Sequence, residues 1–252
     1  MTHNTCTSGY TAEGRVRSAT PFAVRARLFA NRITLSCLVA ITGSTACPAG
    51  GLDVTLVDRQ GHGVGEAVVT VSPVDKHAVS PVDKHAAAPP PATAVMDQRN
   101  VAFIPRVLVV AVGTNVQFPN NDTVSHQVYS FSAAKKFQLP LYKGELHSAV
   151  VFDHEGLVVL GCNIHDAMAG YVYVTDAPFF GKTDASGMLR LQNVPAGDYR
   201  ITVWSPIIAD PAPSLAHTAH VDAQGITADR VQLTRELRAR PEPRPRRGDW
   251  EY

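Results

Sequence analysis

The stretch "GCNIHDAM", residues 161–168, carries a thiol, an imidazole and a thioether on Cys162, His165 and Met168. All three are donors that soft or borderline metal ions accept. Two imidazoles and a thiolate in a trigonal plane, with a distant axial thioether, make the donor set of a blue-copper electron-transfer site. The stretch supplies one of the two imidazoles, so a second histidine must come from elsewhere. His126 is the candidate. It follows the polar corner "FPNNDTVS" and opens the apolar run "QVYSF", where a loop at one end of a sandwich would meet another from the same end. The other histidines are less well placed. His62 sits in a Gly turn, His147 and His154 flank "SAVVF" and its turn, and His217 and His220 lie in a late, Pro-rich segment. Each of these reads as a surface histidine.

Two other readings of the stretch stand beside this one. A Cys-x2-His pair alone could serve zinc, with Asp166 completing the set, but a thioether is a poor zinc ligand. Adjacent positions on a tight loop also rarely aim at one ion. The three residues could instead be packing residues of a sandwich, which leaves unexplained why all of them lie in one loop.

The elements around the stretch read as strands. "SAVVFDHEGLVVLGCNIHDAMAGYVYVTD" gives a strand, a turn at Glu155-Gly156, a strand, the short loop, and a strand through Tyr171 to Val174. "RVLVVAVGTNVQFPNND" gives two more strands about Gly113, and "SHQVYSFS" another. Residues 51–72 alternate apolar side chains at Leu52, Val54 and Leu56 before a Gly-rich turn and a second strand. Residues 183–204 repeat that style through "MLRL" and the alternation of Tyr199, Ile201 and Val203. Period-two alternation between regular turn signals predicts an all-β sandwich or barrel. No amphipathic helix longer than a turn or two is visible.

Composition narrows the function classes. The 252 residues carry a formal net charge of +1, which gives no electrostatic argument for nucleic acid, and no basic stripe interleaves with aromatics. Residues 1–32 hold Arg15, Arg17, Arg25, Arg27 and Arg32 against Glu13, followed by the apolar "ITLSCLVAIT" and the small residues of "GSTAC". That order predicts a Sec-type secretory leader cut after Ala46 and a periplasmic mature chain. The apolar run is too short for a membrane span. A lipid anchor at Cys47 is not expected, because Ser44 stands where a large aliphatic residue belongs. Cys6 and Cys37 leave with the leader, so Cys162 is the one cysteine inside the folded body. An unpaired thiol in an oxidising compartment needs a reason. A metal supplies one; burial as a small apolar residue supplies another.

"VSPVDKHAVSPVDKHA", residues 71–86, is a tandem copy of one octamer followed by "AAPPPATA". It has no apolar face to bury and reads as a solvated linker, with His77 and His85 in solvent.

"CNIHDAM" has the Cys-x2-His-x2-Met spacing of the cupredoxins, of the amicyanin type in particular. "SHQVYSFS" resembles their strand with the first His ligand, and "LVVLGCNIHDAMAGYVYV" their final strands around the ligand loop. The resemblance implies a Greek-key sandwich holding one type 1 copper on His126, Cys162, His165 and Met168. It implies an electron carrier, not an enzyme, whose partners are a periplasmic dehydrogenase or a cytochrome c, with no nucleic acid. A copper carrier or chaperone and a non-redox envelope interaction module are the alternatives. Residues 51–206 also resemble periplasmic cupredoxin-like proteins grouped as methylamine utilisation proteins. Two positions depart from the pattern: Gln127 stands where Asn usually ties the ligand loops, and Ala167 where an aromatic often precedes the Met. Either could loosen the shell that orients the ligands.

The flanking blocks resemble the halves of a small carboxypeptidase-regulatory, transthyretin-like or Ig-like sandwich. The expected organisation is a leader at 1–46, that split sandwich at 50–73 with 179–225, a linker at 74–93, the cupredoxin domain at 94–178, and a disordered Arg/Pro-rich tail at 226–252.

Overall fold

Alternation of apolar and polar residues builds the first strand. In β1 (Ala49–Val57), Leu52, Val54 and Leu56 are fully buried while the residues between them keep some exposure. β2 (Val68–Pro73) follows. The computed structural model describes residues 49–75, 93–144, 149–208 and 216–238, all within one compact unit, Thr45–Tyr252. The leader with Cys6 and Cys37, then Cys47, residues 76–92 with His77 and His85, and His147 lie outside the described residues. The reading of the octamer repeat as having no apolar face is corrected at its start, where Val71–Pro73 belong to β2 and Val71 is buried in the core.

After β2 the chain runs through ten strands. They are β3 (Thr93–Val95), β4 (Asp97–Arg99), β5 (Ala102–Ile104), β6 (Val107–Ala111), β7 (Thr114–Gln117), β8 (Val128–Ser132), β9 (Lys135–Gln138), β10 (Val150–Phe152), β11 (Gly156–Cys162) and β12 (Ala169–Thr175). Five of them form a sheet in the order β6-β12-β11-β8-β9, and three form another in the order β10-β7-β3. β4 and β5 pair as a separate hairpin. Both sheets contribute to one core, with Val116, Phe152, Val158, Leu160 and Val172 fully buried. Phe118 stacks at 5.6 Å on Phe137 and at 6.5 Å on Phe152. Full burial of Phe118 and Phe152 contributes roughly 1.5–3 kcal/mol each.

The chain then returns to the first body through β13 (Phe179–Lys182), β14 (Met188–Pro195), β15 (Gly197–Trp204), β16 (Ala216–Val221) and β17 (Ile226–Gln232). The sheets β14-β1-β17 and β13-β2-β15-β16 close on a second core, which includes Leu52, Leu56, Val71, Ile201 and Val203. The two bodies meet at Trp204. Its ring lies 5.5 Å from Tyr171 and 5.6 Å from Tyr173, and Lys182 Nζ donates to the Val107 carbonyl at 2.8 Å.

The architecture is all-β, with no helix among the described residues. The tail expected from residue 226 requires correction. Residues 226–232 form β17, which lies parallel to β1 along its length. Val231 and Leu233 alternate into the core, so these residues have an apolar face to bury after all. Leu237 still bridges to Ile208. The charged residues among them, Asp229 and Arg230, masked that short alternation in the sequence.

Candidate metal centre

Strand register explains how two distant residues meet. Cys162 pairs with Val128 across β11 and β8. Val158, Leu160 and Cys162 alternate inward on β11; His126, Val128 and Ser130 alternate inward on and before β8. Side chains two apart on a strand share a face. His126 and Cys162 therefore enter the same core end, and Cys162 Sγ lies 3.8 Å from His126 Nδ1. His126 is held there by both backbone bonds to Tyr142, each 3.0 Å.

The residues after Cys162 bring in the third donor. Gly161 pairs with Ala169, so residues 162–168 form the connection between two neighbouring antiparallel strands. The Met168 N–H donates to the His165 carbonyl at 2.9 Å and tightens the loop. This places His165 Nδ1 at 3.8 Å from Cys162 Sγ. One ligand atom from each of His126, Cys162 and His165 lies within 4.8 Å of the others. Met168 is buried in the core beneath the same loop. A shallow surface depression of about 450 Å³ reaches Cys162 and Met168 from the side of Tyr129, Phe131 and Val159.

The donor set fits a metal. Bonds of roughly 2.3 Å to sulfur and 2.0 Å to nitrogen, opened by about 120°, separate their ends by about 3.7 Å, close to the 3.8 Å seen twice here. Asp166 is exposed and stands outside the trio. His62, His154, His217 and His220 are elsewhere, each beside a carboxylate: Asp58, Asp153, Asp229 and Asp198.

Electrostatics prepare the two imidazoles. Asp122 Oδ2 lies 3.0 Å from His126 Nε2, with both side chains sealed from solvent. A carboxylate only accepts, so Nε2 of the neutral ring carries the proton and the Nδ1 lone pair is left facing Cys162. Burial pushes the Asp122 carboxyl up, but the Val101 N–H, the His126 ring and the Thr123 N–H outweigh it and hold it at about 2. Burial and the nearby His126 ring push the His165 imidazole below its ordinary value, against the pull of Asp122. Burial also drives the Tyr142 phenol up to about 12, so it remains a donor, to the Phe118 carbonyl.

Asp122 was not anticipated from the sequence. Its signal was present in "DTVSH", a carboxylate four residues before the candidate ligand. Asn120 braces the segment that leads into His126. Its Nδ2 donates to Val124 and Tyr142 carbonyls at 3.0 and 2.8 Å, and its Oδ1 accepts from the Asp122 N–H.

No family model matches the chain, and no curated protein does. A purple cupredoxin from Nitrosopumilus maritimus is 26% identical over 33% of this chain and 98% of its own, with a TM-score of 0.29. A copper-containing nitrite reductase from Thermus scotoductus SA-01 is 25% identical over 32% of this chain and 22% of its own, with a TM-score of 0.30. A reduced amicyanin variant is 23% identical over 42% of this chain and 98% of its own, with a TM-score of 0.31.

Proposed function

We propose that this chain is a type 1 copper protein that carries single electrons between redox partners in an exported compartment. The observation that carries the reading is the convergence of His126 Nδ1, Cys162 Sγ and His165 Nδ1 on one point. Met168, buried in the core at the end of the same loop, would supply a thioether as a fourth, weaker donor. A bound copper would supply a one-electron Cu(I)/Cu(II) couple.

The chain's own residues do the rest. Asp122 locks the His126 ring, and β11 locks Cys162, so the donors have little freedom to rearrange when charge changes. Burial of His126 and Cys162 keeps water from taking a coordination position. A complete donor set leaves no site for substrate, which favours a carrier over an enzyme. The same burial disfavours a copper chaperone, whose metal must exchange. His165 keeps partial exposure beside the half-exposed Ile164, which suits this end for contact with a dehydrogenase or a cytochrome c. The basic and apolar leader before Ala46 supports export; among the described residues no helix is long and apolar enough to cross a membrane.

The test is a Cu(II) titration of the mature chain followed by visible absorption and EPR. An intense blue band with narrow copper hyperfine splitting at one copper per chain is expected. A pale, ordinary copper spectrum would remove the thiolate from the metal and the reading with it.

A further inference from the structure

The β4–β5 hairpin turns on two residues, Asn100 and Val101, with φ of 52° and 57°. Two left-handed residues in succession make the tight turn that Asn-Gly ordinarily supplies. Asn100 suits it. Val101 does not, because a β-branched side chain is an outlier in that region. Such an outlier persists only where surrounding contacts hold it.

Those contacts lead to the metal centre. The Val101 N–H donates to Asp122 Oδ2 at 2.6 Å, and the same oxygen meets His126 Nε2 at 3.0 Å. The hairpin also grips the other side of His126. Gln98 Nε2 donates to the Tyr142 hydroxyl, and Tyr142 exchanges both backbone bonds with His126. Asp97 accepts from Asn121 Nδ2 at 2.9 Å, beside Asp122. The Val101 side chain packs against the core, and Phe103 sits over Gly170 on β12, which anchors the hairpin to the strand leaving the ligand loop.

We propose that the Asn100–Val101 turn is the positioning element of His126: its peptide N–H fixes Asp122, and Asp122 fixes the imidazole with Nδ1 toward Cys162. Val101 acts on the ring through Asp122. Its role as a ligand-positioning residue rests on the function proposed above, whereas its hold on the ring does not require metal.

The test therefore reads the ring first in the metal-free chain, by long-range nitrogen–proton NMR of the imidazoles. In one chain the Val101 amide is replaced by an ester, which deletes the N–H and keeps the side chain. In a second, one Gly is inserted between Asn100 and Val101, which moves the N–H away and guards against misfolding of the ester chain. In both, solvent exchange of the His126 Nε2 proton should rise at least tenfold and the Nδ1-protonated tautomer should appear, while the His217 and His220 rings stay unchanged. Val101→Gly keeps the N–H and should keep the native ring signal. The ester in an Asp122→Ala background should change nothing further. A native His126 signal in either folded N–H-deficient chain would overturn the proposal. The copper EPR spectrum of the same chains should broaden. If the native chain takes up no copper but the ring still responds, the hold on His126 stands and the electron-transfer reading falls.

Discussion

Asp122 and His126 form a sealed carboxylate–imidazole pair, 3.0 Å apart, directly behind the nitrogen that faces Cys162. Partners of this kind fix the tautomer and orientation of a metal-ligating ring, and their loss typically costs 10- to 100-fold in affinity. Asp122→Ala should weaken copper binding by about that factor in a competition titration. Unchanged affinity would mean that backbone contacts alone orient the ring.

The same pair makes acid stability predictable. The folded pKa of Asp122, about 2, lies below the 3.8 of the free carboxyl, so the folded chain binds fewer protons there. Its stabilisation is complete above roughly pH 4, is lost as pH falls through about 2, and is on the order of 2 kcal/mol. Urea titrations of the metal-free chain should show that loss, and Asp122→Asn should flatten it. His165 acts higher up. Its folded pKa is depressed below 6.5, so its contribution is present above that value and fades as pH falls through the folded pKa.

Cys162→Ser should abolish the intense blue band while the fold persists, since a hydroxyl replaces the thiol at the end of β11 with little change of volume. Absorption spectra decide it: a band that survives would exclude Cys162 as the ligand.

Met168→Leu should keep copper and raise the reduction potential, because a weak axial donor is lost from an otherwise intact set. The swap nearly conserves volume in the core and should cost under about 1.5 kcal/mol. Voltammetry showing the native potential would place the thioether away from the axial position.

Gly170→Ala tests how the hairpin is seated. A Cβ at position 170 would stand 2.9 Å from Cβ, Cγ and Cδ2 of the buried Phe103, so Phe103 must shift. About 1–3 kcal/mol of stability should be lost in denaturant titrations. A neutral result would show that β5 can slide without strain.

Much of the architecture was legible in the sequence, since a half-buried strand writes its two faces into alternating residues. Leu52, Val54 and Leu56, and likewise Tyr199, Ile201 and Val203, announce their strands directly. β17 was harder to read, because Asp229, on the same face as Val231 and Leu233, and Arg230, on the opposite face, left only a short apolar alternation. Asp122 was overlooked because a single acid in a polar corner looks like any turn residue until the chain around it is folded.

The sequence by itself determined the local chemistry: Cys162, His165 and Met168 share one short connection, so chain geometry alone keeps their donors near each other. It also marked His126 as a candidate, without a distance. Tertiary structure decided the rest. Pairing of Cys162 with Val128 turned a separation of 36 residues into a 3.8 Å contact, because strand register sets which side chains share a face. It also brought the Val101 N–H to Asp122 across 21 residues, a hydrogen bond that depends on an unusual turn and on no local pattern.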